Sequence, residues 1–272
     1  MVVSVDHPFF QGLSPTLHIA HRGGARLAPE NTMVAFRQAL ELHRTDVVEL
    51  DVQLSRDGVL VVSHDEVLDR CTDGVGPLAA RTWPELAPLD AAFRFSLDGG
   101  RTFPLRGEGV GIPRLVDVLA AFPHARFNIE LKLPLGDAAG GAESIFARAL
   151  RDAAVLDRVC IGSEHDAVAA RLHQELPEAC FFYPRDALIA LVVSLKSGAA
   201  PASDRRFQVL DMPLHYDGVR LIDEDFLART RALGAWVNVW TIDDEAEMRR
   251  LVAEGVGGIM TDRPDVLRAV LG

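Results

Sequence analysis

With 272 residues, 49% of them hydrophobic and 25% charged, the chain has the make-up of a soluble globular protein large enough for a substantial core. A formal charge of −11 argues against a general nucleic-acid or anionic-membrane surface, because phosphate backbones and lipid headgroups repel such a field. Cys71, Cys160 and Cys180 are odd in number, widely spaced and without a CxxC, so neither a disulfide framework nor a zinc site is expected.

The N-terminal stretch "MVVSVDHPFFQGLSPTLHIAHRGG" has no basic leader and is interrupted by Asp6, His7, Pro8 and Gly12, which makes it a poor secretory signal. No segment reaches the roughly 18 uninterrupted apolar residues of a membrane span. A cytoplasmic protein without stable membrane insertion is the expectation.

The first strand, "LHIAH" (17–21), runs into Arg22, and the amphipathic "NTMVAFRQALELH" follows it. The second, "DVVELDV" (46–52), places Glu49 and Asp51 two apart and therefore on one face. Two carboxylates on an inward face repel each other unless a cation lies between them, and oxygen ligands favour Mg²⁺, Ca²⁺ or Mn²⁺ over zinc. "SRDG" signals a turn, and "VLVVSHD" (59–65) follows too soon for a parallel crossover, so it must return as a hairpin. Antiparallel pairing about that turn sets His64 beside Glu49, with Asp65 turned to the other face in an orienting role.

Residues 66–112 are rich in Gly, Pro and turns and lack a long helical pattern, which reads as an insertion subdomain at the mouth of a site. "RFNIELK" (126–132) then ends in Glu130 and Lys132, again two apart. The remaining strand candidates are "RVCIG" (158–162), "CFFY" (180–183), "FQVLDM" (207–212), "AWVNVWT" (235–241) and "GGIMT" (257–261). "ESIFARALRDAAV", "HDAVAARLHQEL", "DEDFLARTRALG" and "DDEAEMRRLVAEG" lie among them with helical spacing. The segment 184–206 is polar and small-residue-rich in its second half, and a mobile loop is expected for it.

Eight strands alternating with helices imply a closed parallel (β/α)8 TIM barrel, one domain over 1–272 with the 66–112 insertion after the His64–Asp65 strand. An open doubly wound sheet would normally carry a GxGxxG loop after its first strand, and none is present. Barrel sites lie at the C-terminal strand ends, where three adjacent strands deliver Glu49, Asp51, Glu130, His21, His64, Arg22 and Lys132. Carboxylates around a cation, two imidazoles and two fixed positive charges match the needs of phosphodiester cleavage.

These residues sit in stretches that resemble the glycerophosphodiester phosphodiesterases: "HRGGARLAPENT" (21–32), "ELDVQLSRDGVLVVSHD" (49–65), "LDRCTDGVG" (68–76), "NIELK" (128–132) and "VNVWTIDDEAEMRRLVAEGVGGIMTDRPD" (237–265). The resemblance spans nearly the whole chain. It implies a metal-dependent hydrolase that splits a glycerophosphodiester into sn-glycerol 3-phosphate and an alcohol, with water or the glycerol 2-hydroxyl as nucleophile. Carried over by position, Glu49, Asp51 and Glu130 would hold one divalent cation, Mg²⁺ or Ca²⁺ with Mn²⁺ a further candidate. His21 and His64 would be the acid/base pair, Arg22 and Lys132 would contact phosphate, and Trp240 would line the pocket. Glu30 and Asn31 would buttress the site as a helix N-terminus next to His21. Ser163-Glu164 departs from the Ser-Phe of many relatives and puts a charge near the mouth, which bears on headgroup preference. Two other readings stand beside this one: a phospholipase D-like enzyme acting on lysophospholipids, for which Phe93, Phe95, Leu97 and Phe103 would offer an apolar rim, and a non-catalytic barrel that binds a phosphorylated ligand.

Overall fold

The computed structural model describes residues 7–133 and 141–272; residues 1–6, part of the N-terminal stretch read above, lie outside them. The strands in chain order are β1 (Leu17–Ala20), β2 (Val47–Leu54), β3 (Leu60–Val62), β4 (Arg126–Leu131), β5 (Val159–Gly162), β6 (Cys180–Phe181), β7 (Val209–Pro213), β8 (His215–Tyr216), β9 (Val219–Arg220), β10 (Trp236–Trp240) and β11 (Gly258–Thr261). The sheet order is β6-β5-β4-β2-β1-β11-β10-β7, with every neighbouring pair parallel. Between its two ends Phe182 bridges Val209, the Tyr183 amide donates to the Val209 carbonyl at 2.8 Å, and the Gln208 amide donates to the Phe181 carbonyl at 2.8 Å. The eight strands thereby form a nearly closed parallel barrel, and all eight predicted strands take part in it.

The helices are α1 (Met33–Arg37), α2 (Trp83–Leu86), α3 (Leu115–Ala121), α4 (Ala142–Asp152), α5 (Asp166–Glu175), α6 (Arg185–Ser197), α7 (Glu224–Ala232), α8 (Glu245–Glu254) and α9 (Pro264–Leu271). Their apolar stripes, such as Phe146, Ala147 and Leu150 on α4, join the outward side chains Val48, Leu50, Ile129 and Ile161 in the main core. Leu17, Ile19, Val47, Cys160, Cys180 and Met260 form a second cluster with Phe9. Among the described residues no helix is long and apolar enough to cross a membrane.

Three elements differ from expectation. The hairpin pairs Val52 with Val62, Gln53 with Val61 and Leu54 with Leu60, but the ladder ends once the Ser63 amide has bonded the Asp51 carbonyl at 3.0 Å. The Gln53 side-chain amide donates to the carbonyls of Ser63, His64 and Asp65, curling the chain away, so His64 does not sit opposite Glu49 in a ladder. The first half of 184–206 is helix α6, held by buried Leu191, Val192 and Leu195 and ended by Gly198 in a left-handed conformation. The hairpin β8–β9 was missed: Asp217 and Gly218 both have positive φ, as a two-residue hairpin turn requires.

Residues 66–112 gather Leu68, Leu78, Leu86, Ala91 and Ile112 around Val61 in a small apolar cluster. The segment crosses its own path at Val67–Pro77 and Asp90–Gly111, and the chain then rejoins β3 at Val61–Arg114. Its longest described helix, α2, is four residues with a capping box between Thr82 and Glu85.

His18 alternates on β1 with inward Leu17 and Ile19 and so faces the helix layer, where it is 2% exposed. Burial pushes its pKa down to about 4 from the ordinary 6.5, with His43 and Arg268 adding to the effect. The neutral ring contributes its full stability above pH 6.5. As pH falls from 6.5 towards 4 the unfolded chain takes up the proton first, and about 3 kcal/mol is lost. Urea unfolding at several pH values is expected to show a flatter acid limb in His18→Leu than in the wild type; parallel limbs would contradict this.

Candidate active site

β1 ends in the turn His21–Gly23, where Arg22, Gly23 and Gly24 all have positive φ. A Cβ on Gly23 would lie 2.8 Å from the Ala35 Cβ, and one on Gly24 would lie 2.8 Å from Pro264, so glycine at both positions lets this turn wedge between α1 and α9. The turn sets His21 and Arg22 at the barrel mouth and aims the Arg22 amide at Glu49 Oε2, 2.8 Å away.

β2 carries Glu49 and Asp51, and its parallel register sets Asp51 directly beside Glu130 of β4. Asp51 is 1% exposed and accepts from Asn31 Nδ2 at 2.9 Å. Lys132 Nζ lies 3.0 Å from Glu130 and 3.4 Å from Asp51, while Arg22 Nε is 3.4 Å from Asp51. Burial and the neighbouring Asp51 push Glu49 up to about 8. Burial also raises Glu130, whose Oε1 is buried without a hydrogen-bond partner among the described residues. The same carboxylates hold the Lys132 ammonium above its ordinary range against the opposing effect of burial.

Each histidine is oriented by an aspartate on its Nδ1. His21 Nδ1 is 2.7 Å from Asp262, at the end of β11, and His64 Nδ1 is 2.6 Å from Asp65. In both rings Nε2 is left as the nitrogen for proton transfer. Burial opposes charge on His21, but Asp262 and Glu49 outweigh it and raise the pKa. Asp65 is itself held by Arg70 at 2.5 Å, Arg70 by Glu30 at 2.7 Å, and Glu30 by Arg22 at 2.9 Å. Glu30 and Asn31 therefore brace Arg22, Arg70 and Asp51 rather than His21, and the N-cap of α1 is Thr32.

All eight predicted site residues, His21, Arg22, Glu49, Asp51, His64, Glu130, Lys132 and Trp240, line one cavity of about 300 Å³. Sequence reasoning missed several others. Asp262 and Arg70 lay inside matching stretches, but nothing in their local pattern marked them as histidine partners. Asn128, two before Glu130 and hence on its face, also lines the cavity and donates to Asp211 at 2.7 Å, while Asn238 donates to the other oxygen at 2.8 Å. Burial pushes Asp211 up to about 6. The period-two spacing was the available signal for Asn128; Asp211 had none.

Among the described residues no three His, Cys, Asp or Glu side chains converge into a ready metal cage. The Lys132 ammonium lies within ion-pair distance of both Asp51 and Glu130, and the Arg22 amide is engaged with Glu49. The donor set is nonetheless entirely carboxylate, with one unpartnered buried oxygen and an excess of negative charge that lifts Glu49. That chemistry fits a hard divalent cation.

A family model described as the glycerophosphoryl diester phosphodiesterase family matches residues 21–266. The chain belongs to that family. Membership makes it a phosphodiester hydrolase. A glycerophosphodiester phosphodiesterase of Caldanaerobacter subterraneus subsp. tengcongensis is 32% identical over 93% of this chain and 96% of its own length. Human lysophospholipase D GDPD1 is 28% identical over 93% of this chain and 85% of its own. An Oleispira antarctica phosphodiesterase solved with the product sn-glycerol-3-phosphate superposes with a TM-score of 0.71 at 25% identity, covering 93% of this chain and 95% of the other.

Proposed function

We propose that this pocket hydrolyses glycerophosphodiesters to sn-glycerol 3-phosphate and an alcohol, with one divalent cation held by Glu49, Asp51 and Glu130. The observation that carries the reading is the convergence of three carboxylates, two aspartate-oriented histidines and two fixed cations on one cavity. When bound, such a cation supplies Lewis-acid charge at the phosphoryl oxygens. Arg22 and Lys132, which flank Asp51 at 3.4 Å each, offset the remaining phosphate charge. One histidine Nε2 takes the proton from the attacking oxygen, and the other donates a proton to the departing alcohol. Asp65 and Asp262 hold the rings in the tautomer that this transfer needs. Trp240, 41% exposed at the end of β10, forms the apolar side of the mouth.

The substrate is a soluble small-molecule diester. Of the rim residues expected for acyl chains, Phe93 and Phe103 carry Arg106 at 4.3 and 3.7 Å from their ring centres and Leu97 is 62% exposed, but none of these three lines the cavity. The acidic charge and three free cysteines support a cytoplasmic setting with no nucleic-acid partner. Phosphorus NMR on a panel of sn-glycero-3-phosphodiesters is expected to show glycerol 3-phosphate as the phosphorus product. Release of the phosphorylated headgroup, or no turnover with any added cation, would overturn the assignment.

A further inference from the structure

We propose that the pocket opens into a second chamber that receives the departing alcohol, and that this chamber selects alcohols carrying an ammonium group. The inference rests on the hydrolysis proposed above. A cavity of about 750 Å³ adjoins the first and shares His64, Lys132, Glu164 and Arg185 with it. His21 lines only the first cavity, whereas His64 lines both, so the second chamber lies on the His64 side of the site. An alcohol leaving on that side breaks its bond to phosphorus and takes its proton from His64. Water, or the glycerol 2-hydroxyl followed by water, supplies the oxygen that phosphorus gains.

The fixed charges of the chamber are unequally satisfied. Lys132 is held by Glu130 and Asp51, Arg185 by Glu164 at 2.5 Å, and Asp65 by His64 and Arg70. Glu66 is exposed on the chamber wall, and among the described residues only its backbone carbonyl is engaged, by the Leu78 amide. Glu164 Oε1 is 3.6 Å from the His165 ring, too far for a hydrogen bond. Glu164 thus neutralises Arg185, the phosphate of the diester meets Lys132, and the carboxylate at Glu66 is left to face the occupant. An ammonium headgroup gains from that field, a neutral polyol gains little, and an anionic headgroup is repelled.

The test compares kcat/KM for sn-glycero-3-phosphoethanolamine with that for glycerophosphoglycerol in the wild type, Glu66→Gln and Glu66→Lys. The wild type is expected to favour the ethanolamine diester by about fivefold, the scale of a solvent-accessible ion pair. Glu66→Gln brings the ratio close to one, and Glu66→Lys takes it below one. Equal wild-type turnover of the two diesters, or a ratio that neither variant moves, overturns the headgroup proposal while leaving the hydrolysis intact. Failure of the wild type on both diesters counts instead against the hydrolysis itself.

Discussion

His64→Ala is expected to lower kcat by about 10²- to 10⁴-fold, the range for loss of a general acid or base. His64 is partly exposed and lies outside the regular ladder, so the substitution leaves no large cavity and the fold is retained. The effect belongs in kcat, because the phosphate-binding role proposed for Arg22 and Lys132 is left untouched. Asp65→Asn tests the same chain of contacts one step back. The ring remains, but its Nδ1 partner is no longer an anion and the imidazolium loses its stabilisation, so a smaller loss and a shifted pH–rate profile are expected. Arg70→Ala acts through Asp65 and Glu30 and is expected to be milder again. Steady-state kinetics across pH with circular dichroism as a fold control settle the series. Full activity in His64→Ala would remove this residue from the chemistry.

The second large effect is chelation. Removing divalent cations is expected to lower turnover by at least about 10³-fold, since metal charge at a phosphoryl oxygen supplies several kcal/mol of transition-state stabilisation. Mg²⁺, Ca²⁺ or Mn²⁺ is expected to restore it. A readout independent of activity comes from Glu49, whose folded pKa of about 8 exceeds the ordinary 4.5. A raised carboxylate favours the protonated folded protein, so the metal-free protein loses stability as pH rises from 4.5 to 8. Glu49→Gln abolishes that decline. The wild type is expected to gain thermal stability on adding cation at pH 8, whereas Glu49→Gln gains far less. Unchanged turnover in chelator, together with no cation-dependent shift in Tm, would refute the metal site.

The sequence by itself determined what depends on local periodicity. Alternating strands and helices specified the barrel, and the period of two placed Glu49 with Asp51 and Asn128 with Glu130 on inward faces whatever the remaining packing. The turn glycines after His21 were legible as motif residues, although their reason, the approach of Ala35 and Pro264, was not. Only the tertiary structure decided how the site is braced. The bond from His21 to Asp262 joins residues 241 positions apart, and the bonds from Arg70 to Glu30 join residues 40 apart. Both depend on where β11 and the insertion come to rest. His64 reaches the pocket because the Gln53 amide gathers three carbonyls and bends the chain, a contact that strand periodicity cannot encode. Helix α6 escaped notice because a polar tail followed it, while its stability comes from burying Leu191 and Leu195 against the barrel. The second chamber was invisible for the same reason: a cavity is the space left between elements, and its walls come from β2, α6 and loops, among them the one leaving β4, that meet only once the barrel has nearly closed.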